Sequence, residues 1–60
     1  MIDQNNEPIL IGANEVCRLL SIKRSRAYAV IRQLNAQLTA QGKITIPGRI
    51  NKKYLIDNFS

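Results

Sequence analysis

The sequence predicts a small, mostly helical α+β domain whose elements follow the order strand, helix, helix, β-hairpin, helix. Two stretches with apolar residues at helical spacing, Ala13–Leu20 and Arg24–Ala40, are separated by three residues. After Gly42 the apolar period shortens to that of a strand. With 60 residues the chain lies near the lower limit for a self-supporting fold. We therefore expect one domain over residues 9–60, preceded by a flexible, polar N-terminal arm over residues 1–8.

The first two elements are a short strand and a short helix. Residues 9–11 form an apolar run that can pair as a strand, and Gly12 then interrupts the chain. Glu15 follows Gly12 by three residues, a spacing that resembles a capping box with Gly in place of Ser or Thr. The helix carries an apolar stripe for the core, made by Ala13, Val16, Cys17, Leu19 and Leu20.

The second helix is longer and carries a more regular stripe. Its apolar residues recur at i, i+3, i+4, i+7 and i+11, which defines one helix face: Ala27, Val30, Ile31, Leu34 and Leu38. Gly42 supplies the left-handed residue with which helices commonly end. A short turn between a shorter and a longer helix is typical of a helix-turn-helix.

The stretch "KITIPGRI", residues 43–50, predicts a β-hairpin. Apolar residues alternate in "ITI", and Pro47 and Gly48 stand at the second and third positions of a type II turn. Asn51 can then cap a last helix. We expect three side chains of that helix to close the core, namely Tyr54, Leu55 and Phe59.

The charges are unevenly distributed along the chain. Nine Lys and Arg residues against four Asp and Glu give a net charge of +5, and all four acids lie outside residues 16–56, which hold every base. A solvated surface normally mixes both signs. A field of one sign therefore indicates an anionic partner, either nucleic acid or an acidic membrane surface, while a generally basic soluble protein is the alternative.

Composition disfavours several functions. So short a chain has little room for the deep pocket of an enzyme or small-ligand site, and one Cys without His builds neither a disulfide nor a Cys/His metal site within one chain. We expect no catalytic residue, cofactor, metal or small-molecule ligand, and Cys17 as a buried hydrophobe rather than a reactive thiol. No signal peptide or membrane-spanning run is visible, which predicts a soluble, cytoplasmic protein.

The second helix offers a face suited to double-stranded DNA. Opposite its apolar stripe lie Ser25, Ala29, Arg32 and Ala36, with Tyr28 on one shoulder and Arg26 and Gln33 on the other. A helix fits the major groove, where Arg pairs with guanine and Gln with adenine, so Arg32 and Gln33 are candidate base readers. Arg26 and Ser25 would stand at the groove edge. Tyr28 can contact DNA or pack as a partly buried ring, and Arg32 can instead be a solubilising residue.

Further basic residues flank this helix. Lys23 and Arg24 precede or open it, where backbone N–H groups and the helix dipole favour phosphate. Arg49 in the hairpin turn can enter the adjacent minor groove, and Lys43 lies at the start of the hairpin. Two lysines at the start of the last helix can meet phosphates or be ordinary surface residues: Lys52 and Lys53.

The stretches "NEVCRLLSIKRSRAYAVIRQL" and "ITIPGRINKKYLIDNF" resemble the small winged helix-turn-helix of MerR-like DNA-binding domains, and in particular the excisionases of phages and integrative elements. The family's Glu-Val pair corresponds to residues 15–16, its Leu-Leu-Gly-Val turn to residues 19–22, and its Gly-Arg wing pair to residues 48–49. Ser21 stands where the family has Gly in the turn, and Lys23 where it commonly has a capping Ser or Thr.

The resemblance implies a recombination directionality factor without catalytic activity. Such a protein binds and bends attachment-site DNA, with further copies of itself, so that a site-specific integrase favours excision in a bacterial or phage-infected host, at the nucleoid. Two alternatives stay open: a small phage or mobile-element transcriptional repressor or activator with the same module, and a module whose basic face docks on an acidic protein. RNA is less favoured because few aromatic side chains are available for stacking. A membrane partner is less favoured still, because the apolar face of the amphipathic helix is needed for the core.

Overall fold

The computed structural model describes residues 9–59, which form three helices and two short strands. In chain order these are β1 (Leu10–Ile11), α1 (Ala13–Leu20), α2 (Arg24–Ala40), β2 (Ile50–Asn51) and α3 (Lys52–Phe59). The predicted α+β, mostly helical class is confirmed for this part of the chain, and the arrangement is compatible with a helix-turn-helix. The predicted N-terminal arm lies outside the described residues.

Both predicted helices of the helix-turn-helix have the expected bounds, because local signals determine where α1 begins and where α2 ends. At the start of α1, the Gly12 carbonyl accepts a hydrogen bond from the Val16 N–H at 3.1 Å. At the end of α2, the Lys43 N–H donates to the Leu38 carbonyl at 3.0 Å, and Gly42 has a φ of 83°. This is the Schellman arrangement, in which a left-handed residue satisfies the last carbonyls of a helix. The predicted stop at Gly42 is confirmed.

Ser21 takes the left-handed conformation that the turn between α1 and α2 requires. Its φ and ψ are 56° and 48°, and the next residue, Ile22, donates its N–H to the Cys17 carbonyl at 3.2 Å. A side chain with a Cβ is disfavoured in this conformation by roughly 1–2 kcal/mol relative to the right-handed region. The turn therefore forms although the Cβ of Ser21 disfavours the left-handed conformation at its centre.

Replacing Ser21 by glycine should stabilise the fold. Glycine adopts a positive φ without the Cβ clash, although it also gives the unfolded chain more freedom, so we expect a net gain of about 0.5 kcal/mol in the free energy of unfolding. Urea denaturation followed by circular dichroism measures it. The control Ser21→Ala keeps the Cβ and should give no gain. A glycine variant no more stable than the alanine variant would contradict this account of the turn.

The strands pair differently from the predicted hairpin. β1 lies antiparallel to β2, with Leu10 opposite Asn51 and Ile11 opposite Ile50, whereas residues 43–46 belong to no strand. The type II turn itself is present, because the Arg49 N–H donates to the Ile46 carbonyl at 3.1 Å and Gly48 has a φ of 79°. The hairpin prediction was wrong because pairing with β1 lets the fully buried Ile50 face Ile11 in the core.

The core lies between the inner faces of the helices and the two strands. Val16, Ile50 and Leu55 are fully buried, and Ile31 is 2% exposed. The predicted stripe of α2 is confirmed, with Ala27, Ile31 and Leu34 buried and Val30 and Leu38 partly buried. Cys17 is partly buried against the same cluster, as expected of a small hydrophobe.

Two side chains expected in the core are exposed. Leu19 is 43% and Phe59 55% exposed, so these two predictions were wrong. Each lies in the last turn of its helix, where the fold as described provides no element to cover it. Helical periodicity gives the direction of a side chain but not whether another element reaches it.

α3 is held by its cap and by one tyrosine. The Tyr54 N–H donates to Oδ1 of Asn51 at 3.0 Å, which confirms the predicted cap. The Tyr54 hydroxyl donates to Oε1 of Gln37 at 2.9 Å and so joins α3 to the distal half of α2. None of the helices in residues 9–59 is long and apolar enough to cross a membrane.

Candidate nucleic-acid interface

Nearly all basic residues lack a carboxylate partner in the described structure. Arg18 pairs with Glu15 on α1, and within residues 9–59 the other eight Lys and Arg residues form no ion pair. Apart from the half-buried Lys52 their side chains are exposed. The one-sign field inferred from the sequence is therefore present at the surface of the described fold, where it is available to an anion.

The N-terminal half of α2 presents its predicted DNA-facing side chains to solvent. Every candidate on this helix is exposed: Arg24, Ser25, Arg26, Tyr28, Arg32 and Gln33. Tyr28 is 52% exposed, which agrees with a surface role better than with a partly buried packing ring. Two exposed alanines, Ala29 among these polar groups and Ala36 one turn after Arg32, leave room for close approach by a partner.

One shoulder of α2 faces a groove that also receives the type II turn. The groove encloses about 610 Å³ between the first turns of α1 and α2 and the turn that contains Gly48. Arg24 and Tyr28 line it from α2, and Arg49 lines it from the turn. The fold thus brings candidates from two distant stretches of the sequence to one surface.

Two guanidinium groups stand over the start of α1. Nη2 of Arg24 donates a hydrogen bond to Oδ1 of Asn14. The guanidinium group of Arg49 lies close to Gly12: a Cβ placed on that glycine would be 3.0 Å from Nη1 of Arg49. The first N–H groups of a helix carry partial positive charge. Glu15 in the same turn also lines the groove. The start of α1 and both guanidinium groups therefore place positive potential on this side of α2, partly offset by that carboxylate.

The opposite shoulder of α2 borders a more apolar groove. It encloses about 660 Å³, and Arg26, Ala29 and Gln33 form its α2 wall together with Val30. The other side chains come from α1, the turn and the end of α3: Leu19, Leu20, Ile22 and Phe59. The outward ridge of α2, formed by Ser25, Ala29, Arg32 and Ala36, consequently stands between the basic groove, which Arg24 and Arg49 line, and this mixed one.

The 43–49 loop is attached to α2 by side chains. Nδ2 of Asn35 donates to the Arg49 carbonyl at 2.8 Å and to the Ile46 carbonyl at 3.3 Å. The hydroxyls of Thr39 and Thr45 are hydrogen-bonded at 3.3 Å. Sequence reasoning missed Asn35, although a signal existed, since Asn35 follows Ile31 by four residues and so borders the apolar stripe.

The remaining candidates lie outside the two grooves that flank α2. Lys43 lines a third groove of about 490 Å³ with Leu10, Leu38 and Ile44. Lys23 is the exposed residue that precedes α2, and Lys52 and Lys53 begin α3. Within residues 9–59 there is no group of His, Cys, Asp or Glu side chains that could hold a metal ion.

Three helices with a small antiparallel sheet, and a basic face on the second helix, are compatible with an α+β helix-turn-helix protein. The chain is 32% identical over 42 residues to the ICEBs1 excisionase of Bacillus subtilis (strain 168). The match spans 70% of this chain and 66% of that protein, slightly under two thirds of its length. This distant similarity supports an excisionase-like family. No protein-family model matches the chain, and no solved structure matches it significantly.

Proposed function

We propose that this protein is a sequence-specific double-stranded DNA-binding protein that acts as an excisionase: it binds and bends attachment-site DNA and so promotes integrase-mediated excision. The observation that carries the DNA-binding part is the exposed polar ridge of α2, set among eight cations without a described carboxylate partner. The recombination role is supported by the similarity to the ICEBs1 excisionase.

In this proposal α2 enters the major groove by its N-terminal half. The exposed Ala29 and Ser25 allow the helix backbone to approach the base edges closely. Arg32 then pairs with guanine and Gln33 with adenine, which are the pairings that their donor and acceptor groups permit. Arg26 lies at the groove edge, where it contacts a phosphate and orients the helix without reading sequence.

The 43–49 loop acts as the wing of a winged helix-turn-helix. Its Arg49 lies on the same side of α2 as Arg24 and Tyr28, so a duplex held by the helix passes beside the loop. There Arg49 enters the minor groove, whose negative potential attracts arginine. Bending a site costs of order 1–6 kcal/mol. Phosphate contacts from lysines that lie outside the two protein grooves flanking α2 offset that cost: Lys43, Lys52 and Lys53.

Selection from a pool of random duplexes at about 150 mM salt tests the proposal, since non-specific electrostatic binding weakens steeply with salt. Enrichment of a short motif in direct repeats is expected of an excisionase that binds in several copies. Inverted repeats would instead indicate a dimeric transcriptional regulator, because operator symmetry mirrors protein symmetry. Retention of all sequences alike would contradict sequence-specific binding.

The variant Arg32→Ala should weaken binding by about 1–3 kcal/mol and relax sequence preference at one base pair. The loss has this form because a bidentate arginine contact discriminates one base pair from the others. The selection repeated with the variant, with dissociation constants for the selected site, measures both effects. Arg18→Ala is the matched control, since it removes the same group from an ion pair on α1. Equal weakening on every duplex would make Arg32 a phosphate contact.

A further inference from the structure

We infer that Asn35 is a positioning residue that fixes the wing against the recognition helix, so that Arg49 and α2 engage one duplex together. This inference rests on the proposed DNA-binding function. Asn35 itself contacts no DNA in this scheme. It determines where the backbone of Arg49 lies relative to the ridge of α2.

The carboxamide of Asn35 holds both ends of the turn. Its Nδ2 donates to the Arg49 carbonyl at 2.8 Å and to the Ile46 carbonyl at 3.3 Å. The turn is closed on itself by the Arg49 N–H, which donates to that same Ile46 carbonyl at 3.1 Å. A hydrogen-bonded four-residue turn is thus attached to α2 at its first and last residues by one side chain.

The loop depends on this attachment because its own arms are not paired. Residues 43–46 belong to no strand, and Ile44 is 96% exposed, so this side of the loop has little core packing to hold it. Regular pairing resumes only at Ile50, immediately after Arg49. In the described structure the other side-chain bond from α2 to the loop joins Thr39 to Thr45, before the turn begins.

The residue type at this position also favours a specific role. Asparagine is among the poorer residues for a helix interior, where leucine or alanine would support the helix better. Asn35 is half-buried and borders the apolar stripe, where leucine would also suit the core. Its carboxamide supplies the two N–H donors that an aliphatic side chain lacks. At position 35 the helix therefore contains a residue of lower helix propensity, and this residue supplies the N–H donor that holds the wing.

A double-mutant cycle between Asn35→Leu and Arg49→Ala tests the inference. Leucine has a similar size and branching but no donor, and it maintains the helix. Dissociation constants for a short duplex are measured for the wild type, both single variants and the double variant. We expect each single change to weaken binding about fivefold, and the double variant to bind no more than about twofold less tightly than Arg49→Ala, since residues that act through one another are not additive.

Gln37→Leu is the matched control. It removes a carboxamide from the same helix, but one that bonds to Tyr54 of α3 rather than to the turn. We expect it to change binding by less than about twofold and to combine additively with Arg49→Ala, as independent sites do. If Gln37→Leu coupled to Arg49 as strongly as Asn35→Leu, the effect would be general loosening of α2 and the inference would be overturned.

A second readout needs no DNA. Heteronuclear ¹H–¹⁵N relaxation should show greater fast motion of the Gly48 and Arg49 amides in Asn35→Leu, with the helices unchanged, and no such change in Gln37→Leu. Asn35→Ala, which also lacks the donors, should behave as Asn35→Leu does. A turn that is as rigid in both Asn35 variants as in the wild type would overturn the inference.

The outcomes of the cycle separate the two proposals. Weakening by Arg49→Ala together with additive or absent effects of Asn35→Leu would overturn the role of Asn35 and leave DNA binding by α2 and the wing intact. Failure of the wild type to bind any duplex would overturn the proposed function, and the role of Asn35 on DNA with it.

Discussion

Replacing Ile31 by alanine should remove a large part of the free energy of unfolding. Ile31 is 2% exposed and lies in the apolar stripe of α2, within the cluster that contains Val16 and Leu55. An isoleucine-to-alanine change in a core costs about 2–5 kcal/mol. Scaled by length, the total stability of so small a domain is only about 3–9 kcal/mol. Urea denaturation followed by circular dichroism should show a large decrease in the urea concentration at the midpoint of unfolding, or no cooperative transition.

The matched control for this variant is Ile44→Ala. It deletes the same atoms from a side chain that is 96% exposed, so the free energy of unfolding should change by no more than about 0.5 kcal/mol. Comparable losses at the two positions would mean that Ile44 is buried in solution, for example by association of two chains, and a dependence of the midpoint on protein concentration would reveal this.

The helices could be predicted closely from the sequence because their signals are local. The bounds of α1 and α2 follow from stripes of apolar residues, from Gly12 before α1 and from Gly42 after α2, and none of these signals depends on distant parts of the chain. The outward ridge of α2 is equally predictable, since a fixed angle per residue determines which side chains oppose a buried stripe. The exposed Arg32 and Ala29 illustrate this.

Strand pairing could not be predicted in the same way. The alternation in residues 44–46 and the turn at Pro47–Gly48 are correct local signals of a chain reversal, and the reversal is present. Which segment then pairs with Ile50 is decided by competition between a neighbouring segment and a distant one, β1. A two-residue strand carries too little pattern to indicate that choice.

The basic groove depends on this non-local pairing. Because β2 pairs with β1, the residue before β2, Arg49, is brought beside the residue after β1, Gly12. The electrostatic site at the start of α1 is therefore a product of sheet register. Lysines and arginines are visible in the sequence, but their convergence becomes visible only when the pairing partner of Ile50 is known.

The 43–49 loop, by contrast, is held in place by a side chain, because strand pairing is absent from its first half. Had residues 43–46 paired with residues 49–51, backbone hydrogen bonds would fix the wing without Asn35. With β1 as the partner of β2, residues 43–46 have no strand beside them, and Asn35 of α2 donates to the Ile46 and Arg49 carbonyls. The wing is consequently positioned by the same helix that carries the proposed base-reading residues.

Replacing Ala29 by glutamate should reduce DNA affinity at least a hundredfold. Ala29 is exposed on the outward ridge and lines one groove with Arg26 and Gln33. A carboxylate there would face the bases and phosphates of a docked duplex, and like-charge juxtaposition at an interface costs several kcal/mol, where about 1.4 kcal/mol is tenfold. Fluorescence anisotropy titrations with a labelled duplex at about 150 mM salt measure the loss.

Ala40→Glu separates this contact from a change in overall charge. It introduces the same side chain on the same helix at another exposed alanine, eleven residues and thus about 16 Å farther along the axis. If the N-terminal half of α2 lies in the major groove, this variant should lose less than about fivefold, the effect of net charge alone. Equal losses in the two variants would mean that DNA is attracted by the overall field, without docking of the α2 ridge.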